Sequence, residues 1–370
     1  MTRAALFVLV ACASTDPPHR TPVRATIDAG VATPAVATSP NDEVWLKGST
    51  HVHARPSGDS TTPIEHVIAW YEQHGYDFIA LTDHNRVTEV EPGASTAGQL
   101  AVRAPARGLI VLAGTELTHN PDGCEPVTHP TKHCRIHVNV LGATARPKDK
   151  LDWADRTSPA RLAKYQSAIV AARALGGAGV LVQLNHPQWF WGMSTELLVE
   201  LARRGVRLYE LANAQFETWN AGDASHPSTE ALWDAALGQG VTLWAVASDD
   251  AHDYEESGGR YPAGGGWVMV KARRDPQAIV DALAAGRFYA STGVTLDRVD
   301  VTGDELVVEA ASDAGARSSA MTIQFIENGT LVATVQGPAA RHPIPQRGYV
   351  RAVVTNGAGA RAWTQPVWRR

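Results

Sequence analysis

This sequence of 370 residues has few cysteines and no run of positive charge. It also lacks two glycine motifs that would indicate a function, a phosphate-binding loop and a nucleophile turn. The net charge of −5, with no basic run, gives no support for nucleic-acid binding. No Gly-rich phosphate loop follows the first predicted strand, which argues against a dinucleotide-binding sheet. No Gly-x-Ser-x-Gly motif marks a serine nucleophile. What is present is an ordinary globular composition, 44% hydrophobic, and 14 histidines that cluster in short motifs.

Only three cysteines occur, and the first belongs to a short N-terminal targeting pattern. A basic start and a short apolar run lead to Leu-Val-Ala-Cys at residues 9–12, which resembles a bacterial lipobox. The apolar run is too short to span a bilayer as a helix. We therefore expect residues 1–12 to form an export signal with Cys12 as the lipidated residue. An ordinary signal peptide, cleaved beside Ala11 or Ala13, is the alternative.

Residues 13–43 are rich in Thr, Pro, Ala and Asp, a composition that predicts a flexible linker without chemistry. The other cysteines, Cys124 and Cys134, lie close together, and in an oxidising compartment they would form a disulfide. A small zinc site that adds His129 and His133 is the alternative, although the spacing is irregular. These features predict an extracytoplasmic protein, either a lipoprotein of the bacterial periplasm or cell surface or a secreted soluble protein.

From residue 44 to residue 292 the sequence alternates short apolar strands with amphipathic helices. This alternation predicts an α/β domain with a parallel sheet and crossover helices, and roughly seven such units fit a closed or distorted barrel better than an open sheet. Residues 293–370 differ, because short strands separated by Gly, Pro and Asn turns replace the helices. We expect a small β-sandwich-like domain there.

Residues of the kinds that bind metals recur where the predicted strands end. His51 and His53 are two positions apart on the first strand and therefore point to one side. The others are Asp83, His84, Glu116, His137, His186, Asp249, Asp250 and His252. Barrel enzymes build their sites at the carboxyl ends of strands, so we expect these side chains to converge. Imidazole and carboxylate ligands without cysteine suit Zn, Mn or Fe and are unlike those of a structural zinc finger.

These motifs resemble those of the PHP family of phosphoesterases, named for polymerase and histidinol phosphatase domains. The resemblance covers about residues 44–292, and the matching motifs are His51-x-His53, Thr82-Asp83-His84, Glu116, His137, Asn185-His186-Pro187 and Asp250-x-His252. Residues 286–293, followed by a β-rich region, are similar to an extracytoplasmic branch that includes carbaryl-type carbamate hydrolases. The resemblance implies a distorted (β/α)7 barrel of the PHP type that holds two or three divalent metal ions.

By this resemblance, the metal ligands fall into three sets, two of which share Glu116. The first set is His51, His53, Glu116 and Asp250, the second is Glu116, His137 and His186, and the third is Asp59, His84 and His252. Asp83 and Asp249 are expected beside the ligands, where they would orient neighbouring groups.

The resemblance also implies a metal-dependent hydrolase, and a phosphoesterase is the first expectation. A metal-bridging hydroxide would act as the nucleophile, with Glu116 bridging the two metals. Protonation of the leaving group would fall to His252, to His84 or to a metal-bound water. The partner is then a small-molecule substrate, with no nucleic acid, and with membrane contact only through an N-terminal lipid anchor.

The residues beyond the ligand motifs leave the substrate class open. Arg55 and Arg86 follow ligand motifs and would clamp phosphate oxygens. Trp189 and the two aromatic residues after it would form an apolar substrate wall. This wall favours an alternative, the hydrolysis of carbamates, esters or amides at the same site. A non-catalytic cell-surface binding module is the alternative of another class.

Overall fold

The structure, a computed structural model, describes residues 42–88, 108–255, 258–311 and 321–369. The predicted export signal with Cys12, and nearly all of the predicted linker at residues 13–43, lie outside these ranges. Among the described residues, no helix combines the length and the apolar character needed to cross a membrane.

Strands and helices alternate through most of the described chain up to Ser291, which confirms the mixed α/β class. The strands are β1 (Val44–Val52), β2 (Phe78–Leu81), β3 (Ile110–His119), β4 (Ile136–Leu141), β5 (Leu181–Leu184), β6 (Val206–Asn213), β7 (Trp244–Ser248), β8 (Trp267–Ala272) and β9 (Phe288–Ser291). The α-helices are α1 (Ile64–Gln73), α2 (Arg161–Ala174), α3 (Thr195–Arg204), α4 (Glu217–Ala221), α5 (Thr229–Gly238) and α6 (Pro276–Ala284).

Capping residues explain where several of these helices begin and end. Ser194, Ser228 and Asp275 precede α3, α5 and α6, and each side chain accepts a hydrogen bond from a backbone N–H of the first turn. Gly205 follows α3 with a φ of 116°, a left-handed conformation that glycine adopts at low cost. The sharp turn at Gly205 allows β6 to begin directly after α3.

The sheet of this part is mixed rather than wholly parallel. β1, β2 and β3 pair in parallel, and so do β5, β6 and β7. β4 is antiparallel to β3 and β5, and β8 is antiparallel to β1 and β9. The expectation of a parallel sheet is therefore wrong at these two strands. Residues 120–135, which join β3 to β4, contain no helix, and a return without a crossover gives an antiparallel partner.

After Ser291 the parts of the chain that the structure describes consist of strands and turns. The strands are β10 (Leu296–Thr302), β11 (Glu305–Ala310), β12 (Thr322–Glu327), β13 (Thr330–Gln336), β14 (Ala339–Pro343), β15 (Tyr349–Thr355), β16 (Arg361–Thr364) and β17 (Val367–Trp368). β16 pairs with β9, so β16, β15, β12 and β13 continue the first sheet, whereas β10, β11 and β14 form a second one. Leu296, Val308 and Phe325 belong to one apolar core that both sheets share. A separate domain that begins at residue 293 stays a prediction.

A buried ion pair ties β15 to α5. The Arg351 side chain is 1% exposed, and its Nε and Nη2 atoms donate to the two carboxylate oxygens of Asp234 over 2.8 and 2.5 Å. Arg351 Nη2 also lies 2.9 Å from Glu230 Oε1. The hydroxyl of Tyr349 donates to Asp234 Oδ1 over 2.7 Å. Because the Arg351 guanidinium has almost no access to water, these carboxylates must balance its charge.

Candidate metal centre

The predicted ligands are brought together where the strands of the α/β part end. His51 lies in β1 and His53 just after it, His84 follows β2, Glu116 lies in β3, His137 in β4, His186 follows β5, and Asp250 and His252 follow β7. Isolated backbone bridges join Val52 to Ala251 and His84 to Glu116, which holds these strand ends side by side. The convergence is the one expected for a site at the carboxyl ends of parallel strands.

The deepest group contains two imidazoles that face two carboxylates. His51 Nε2 lies 3.5 Å from Glu116 Oε1 and 3.2 Å from Asp250 Oδ1. His53 Nε2 lies 3.9 Å from Glu116 Oε2 and 3.2 Å from Asp250 Oδ1. All four side chains are almost wholly buried. The structure therefore gathers the four members of the first predicted ligand set.

A second group of histidines also contacts Glu116. His137 Nδ1 is 3.1 Å and His186 Nε2 is 3.5 Å from Glu116 Oε1. The same oxygen accepts a hydrogen bond of 2.8 Å from Asn185 Nδ2. Glu116 thus faces histidines of both groups, as a carboxylate that bridges two metal ions would.

The third group is the one nearest to solvent. Asp59 Oδ2 lies 2.8 Å from His84 Nε2 and 3.3 Å from His252 Nε2, and the Asp59 side chain is 50% exposed. The His53 ring stacks on His252 at a centroid distance of 4.2 Å, which links this group to the deepest one. Asp59 therefore lies with the histidines that the sequence assigned to it.

Two buried histidine nitrogen atoms lack hydrogen-bond partners among the described residues, and they indicate whether the cluster suits metal ions. The Nδ1 atoms of His51 and His53 contact Glu210 Oε1 and Ser57 Oγ over 2.6 and 2.9 Å, while both Nε2 atoms are buried without a hydrogen-bond partner among the described residues. Leaving a buried polar atom unpaired is costly. Both Nε2 atoms lie 3.2 Å from Asp250 Oδ1, and this donor set suits Zn, Mn or Fe. The three groups could therefore hold metal ions.

The electrostatics of the metal-free cluster show that it needs positive charge. Burial alone would raise the pKa of Glu116, but His137, His84 and His51 hold it well below its usual range. Burial lowers the pKa of His84, yet the Glu116 carboxylate and the hydrogen bonds to Asp59 and Glu116 raise it to about 10. Burial is the main reason that the pKa of His53 falls to about 3 and that of His137 to about 4. A proton on His84 supplies positive charge beside Glu116 and Asp59, as a bound divalent cation would.

The raised pKa of His84 gives a pH prediction for the metal-free protein. The group binds a proton more tightly in the folded state, so its stabilisation is complete below the ordinary histidine pKa of 6.5 and is lost as the pH rises through about 10. We expect the melting temperature of the metal-free protein to fall between pH 6.5 and 10 and that of the metal-loaded protein to fall less. Parallel thermal melts of both forms measure this. A larger loss in the loaded form would contradict it.

Two buried aspartates lie beside the ligands without facing the cluster. Asp249 accepts hydrogen bonds from Ser49 Oγ at 2.7 Å, Tyr71 OH at 2.8 Å and the Gly264 N–H at 2.9 Å. Asp83 Oδ1 accepts from the Ala54 N–H at 2.7 Å, next to His53. Burial raises the pKa of both carboxyl groups to about 6. Of the neighbours Asp249 and Asp250, it is Asp250 whose Oδ1 lies 3.2 Å from both His51 Nε2 and His53 Nε2.

Sequence reasoning missed Glu210, the buried carboxylate that contacts His51. Its signal was available, because a glutamate in the apolar strand Val206–Asn213 needs a buried partner. The sequence could not identify that partner, since β6 and β1 are far apart along the chain.

The predicted substrate residues separate into two kinds. Arg55 and Arg86 are exposed, and the Arg55 guanidinium donates to the Thr61 carbonyl over 3.3 Å. Trp189 instead contacts the second group, with its ring centroid 5.7 Å from that of His137 and 5.2 Å from that of His186. Only Trp189 is thus in direct contact with the cluster.

The Cys124–Cys134 disulfide is present, with the two Cα atoms 5.6 Å apart. Both sulfur atoms are therefore unavailable to metal, which excludes the alternative zinc site with His129 and His133. A structural disulfide suggests an oxidising, extracytoplasmic compartment.

No family model and no curated protein matches this chain.

Proposed function

We propose that this protein is a metal-dependent hydrolase of the PHP type. The observation that carries the proposal is Glu116, a buried carboxylate that lies within 4 Å of histidines from all three groups. We also propose that the cluster lies at the rim of a distorted (β/α)7 barrel. The Ser49–Asp249 hydrogen bond and the Val52–Ala251 bridge, which connect β1 to the chain after β7, support that closure.

Each residue group then has a chemical task. Divalent metals supply Lewis acidity and an acidic water at neutral pH when they are bound. Glu116 and Asp250 hold the deep groups together, and burial excludes bulk water from them. His84 and His252 are the partly exposed members, with 18% and 11% of their side chains accessible. With metals in the two deep groups and none in the third, these two histidines would pass a proton to a leaving group that departs toward solvent.

Phosphate esters are the first proposed substrate class, and the charge of the loaded site supports it. Asp59, Glu116, Glu210 and Asp250 contribute four negative charges around the cluster. Asp83 and Asp249, whose carboxyl groups lose their protons above a pH of about 6, add two more beside the ligands. Three divalent ions would contribute six positive charges that these carboxylates balance, so an anionic phosphate would be drawn to the positive charge of a metal ion at the open side and not to a net charge of the centre.

The aromatic wall favours the second candidate, hydrolysis of carbamates, esters or amides that carry a flat apolar group. Trp189 packs against Phe216 at 4.9 Å, and Phe216 contacts His186 at 4.6 Å. The Arg135 guanidinium lies 5.0 Å from the centre of the Trp189 ring and supports it from outside the cluster. Trp189 and Phe216 are both partly exposed, so a bound apolar group could cover them.

Replacing Trp189 separates these two candidates. If the wall binds substrate, Trp189→Ala should raise the KM for an aryl substrate about fivefold, since an aromatic contact in a pocket contributes about 1 kcal/mol. Trp189→Phe should retain most of the affinity. A small alkyl phosphate, which cannot cover the wall, is the control substrate. An equal loss of kcat for both substrates, with KM unchanged, would assign Trp189 to support of the histidines instead.

A hydrolysis panel tests the proposed function itself. The folded region from residue 42 onward is loaded with Mn or Zn and compared with a chelator-stripped sample. The panel contains an aryl phosphomonoester, an aryl phosphodiester and a naphthyl carbamate. We expect metal-dependent turnover of a phosphate ester. Turnover of the carbamate alone would move the assignment to the second candidate. Metal binding without any turnover would favour a non-catalytic surface module.

A further inference from the structure

Glu210 is a buried carboxylate that contacts the Nδ1 atom of His51, whereas Glu116 and Asp250 lie near the Nε2 atom of that ring. It lies in β6, is 0% exposed, and receives donors from several chain segments. Its Oε1 is 2.6 Å from His51 Nδ1, 2.6 Å from Ser248 Oγ and 3.3 Å from Gln183 Nε2. Its Oε2 accepts from the His186 N–H at 2.5 Å and from Asn213 Nδ2 at 3.0 Å. A carboxylate surrounded by donors is ionised and acts only as an acceptor.

The contact with His51 determines which ring nitrogen is left for the centre. Because Glu210 can only accept, His51 Nδ1 must carry its proton whether the ring is neutral or charged. The nitrogen left to bind a metal is therefore Nε2, which lies 3.5 Å from Glu116 Oε1 and 3.2 Å from Asp250 Oδ1.

The other oxygen of Glu210, Oε2, contacts the backbone of His186 in the second group and, through Asn213, is connected to Asp250 in the first. The backbone of His186 has a φ of 23°, which is strained for a residue other than glycine, and its N–H is held by Glu210 Oε2. Asn213 donates both to Glu210 Oε2 and, over 3.1 Å, to Asp250 Oδ2. One carboxylate thus connects ligands of both groups that share Glu116.

We propose that Glu210 is a positioning residue that holds His51 as an Nε2 ligand and fixes the His186 backbone, so that both groups are formed before metal arrives. This inference rests on the proposed metal centre and not on the reaction that the centre performs. Carboxylates that accept the second N–H of a ligating histidine raise the basicity of the ligand and fix its ring.

The test measures zinc affinity by competition with a chelator at constant pH. Glu210→Gln should weaken zinc binding by about 10- to 100-fold, the range typical of such outer partners. Glu230→Gln, the same chemical change in the Arg351 ion-pair network, should leave zinc affinity unchanged even if it lowers the melting temperature. Wild-type affinity in Glu210→Gln would overturn the proposal. A wild-type protein that binds no zinc at all would instead refute the metal centre.

A second measurement does not depend on the folding of that variant. Long-range ¹H–¹⁵N correlation spectra of the zinc-loaded wild-type protein, assigned with the variant His51→Gln, report which nitrogen of His51 keeps its proton. The proposal requires a protonated Nδ1 and a metal-bound Nε2. The opposite pattern, with zinc on Nδ1, would overturn it.

Discussion

Glu116→Gln is expected to abolish metal-dependent turnover and to lower the number of metal ions bound per chain. Glu116 lies within 4 Å of His51, His53, His137 and His186. The amide is neutral and offers one acceptor oxygen in place of two, so the variant loses both the negative charge and one of the two oxygen ligands. Loss of an outer partner alone costs about 10- to 100-fold in metal affinity or activity, and loss of a shared ligand should cost more. Metal analysis and initial rates measure both effects.

Asp59→Asn is the matched comparison for this experiment. It removes a carboxylate charge from the cluster, but Asp59 contacts the partly exposed His84 and His252 and lies outside the two groups that share Glu116. We expect it to affect the third group and to leave the metals held through Glu116 in place. Full activity and full metal content in Glu116→Gln would remove the shared-carboxylate model. Equal metal loss in both variants would show that the three groups bind as one unit.

Asp234→Ala is expected to destabilise the protein by about 3 kcal/mol or more, because it removes the main partner of a buried charge. Arg351 would retain only Glu230, which is 27% exposed, and it has almost no access to water. The hydrogen bond from Tyr349 would be lost as well. Denaturant unfolding of metal-free protein measures the effect without a contribution from metal binding.

Arg351→Met and the double variant Asp234→Leu with Arg351→Met provide the contrast. Removal of the cation leaves carboxylates that are 12% and 27% exposed and can regain water, so the cost should be smaller than for Asp234→Ala. Replacing both partners by apolar residues is often close to neutral. A loss below about 1 kcal/mol in Asp234→Ala would show that Glu230 alone neutralises Arg351.

The cluster could be predicted because its side chains lie in or just after strands that the local sequence identifies. His51, Glu116 and His186 lie in or directly after strands that their apolar sequences identify, and parallel strands bring such ends together. The family motif Asp-x-His favours Asp250 over Asp249 as a ligand. In the structure Asp249 accepts hydrogen bonds from Ser49, Tyr71 and Gly264, whereas Asp250 Oδ1 lies 3.2 Å from His51 Nε2.

The missed features depend on contacts between distant parts of the sequence. Glu210 and His51 are 159 positions apart, and Arg351 and Asp234 are 117 apart, so no local pattern connects them. The direction of β4 was missed because residues 120–135 contain the disulfide loop and not a crossover helix. The substrate-binding roles of Arg55 and Arg86 stay predictions, because closeness to motifs in sequence does not determine where an exposed side chain points.

Anomalous diffraction from zinc-loaded crystals, recorded on both sides of the zinc absorption edge, is the most direct test of the metal centre. We predict at least two peaks. One should lie between His51, His53, Glu116 and Asp250, and one between Glu116, His137 and His186, with bonds of about 2.0–2.2 Å to nitrogen and oxygen. Zinc bound only at surface histidines, with the Nε2 atoms of His51 and His53 still without a partner, would contradict the central claim.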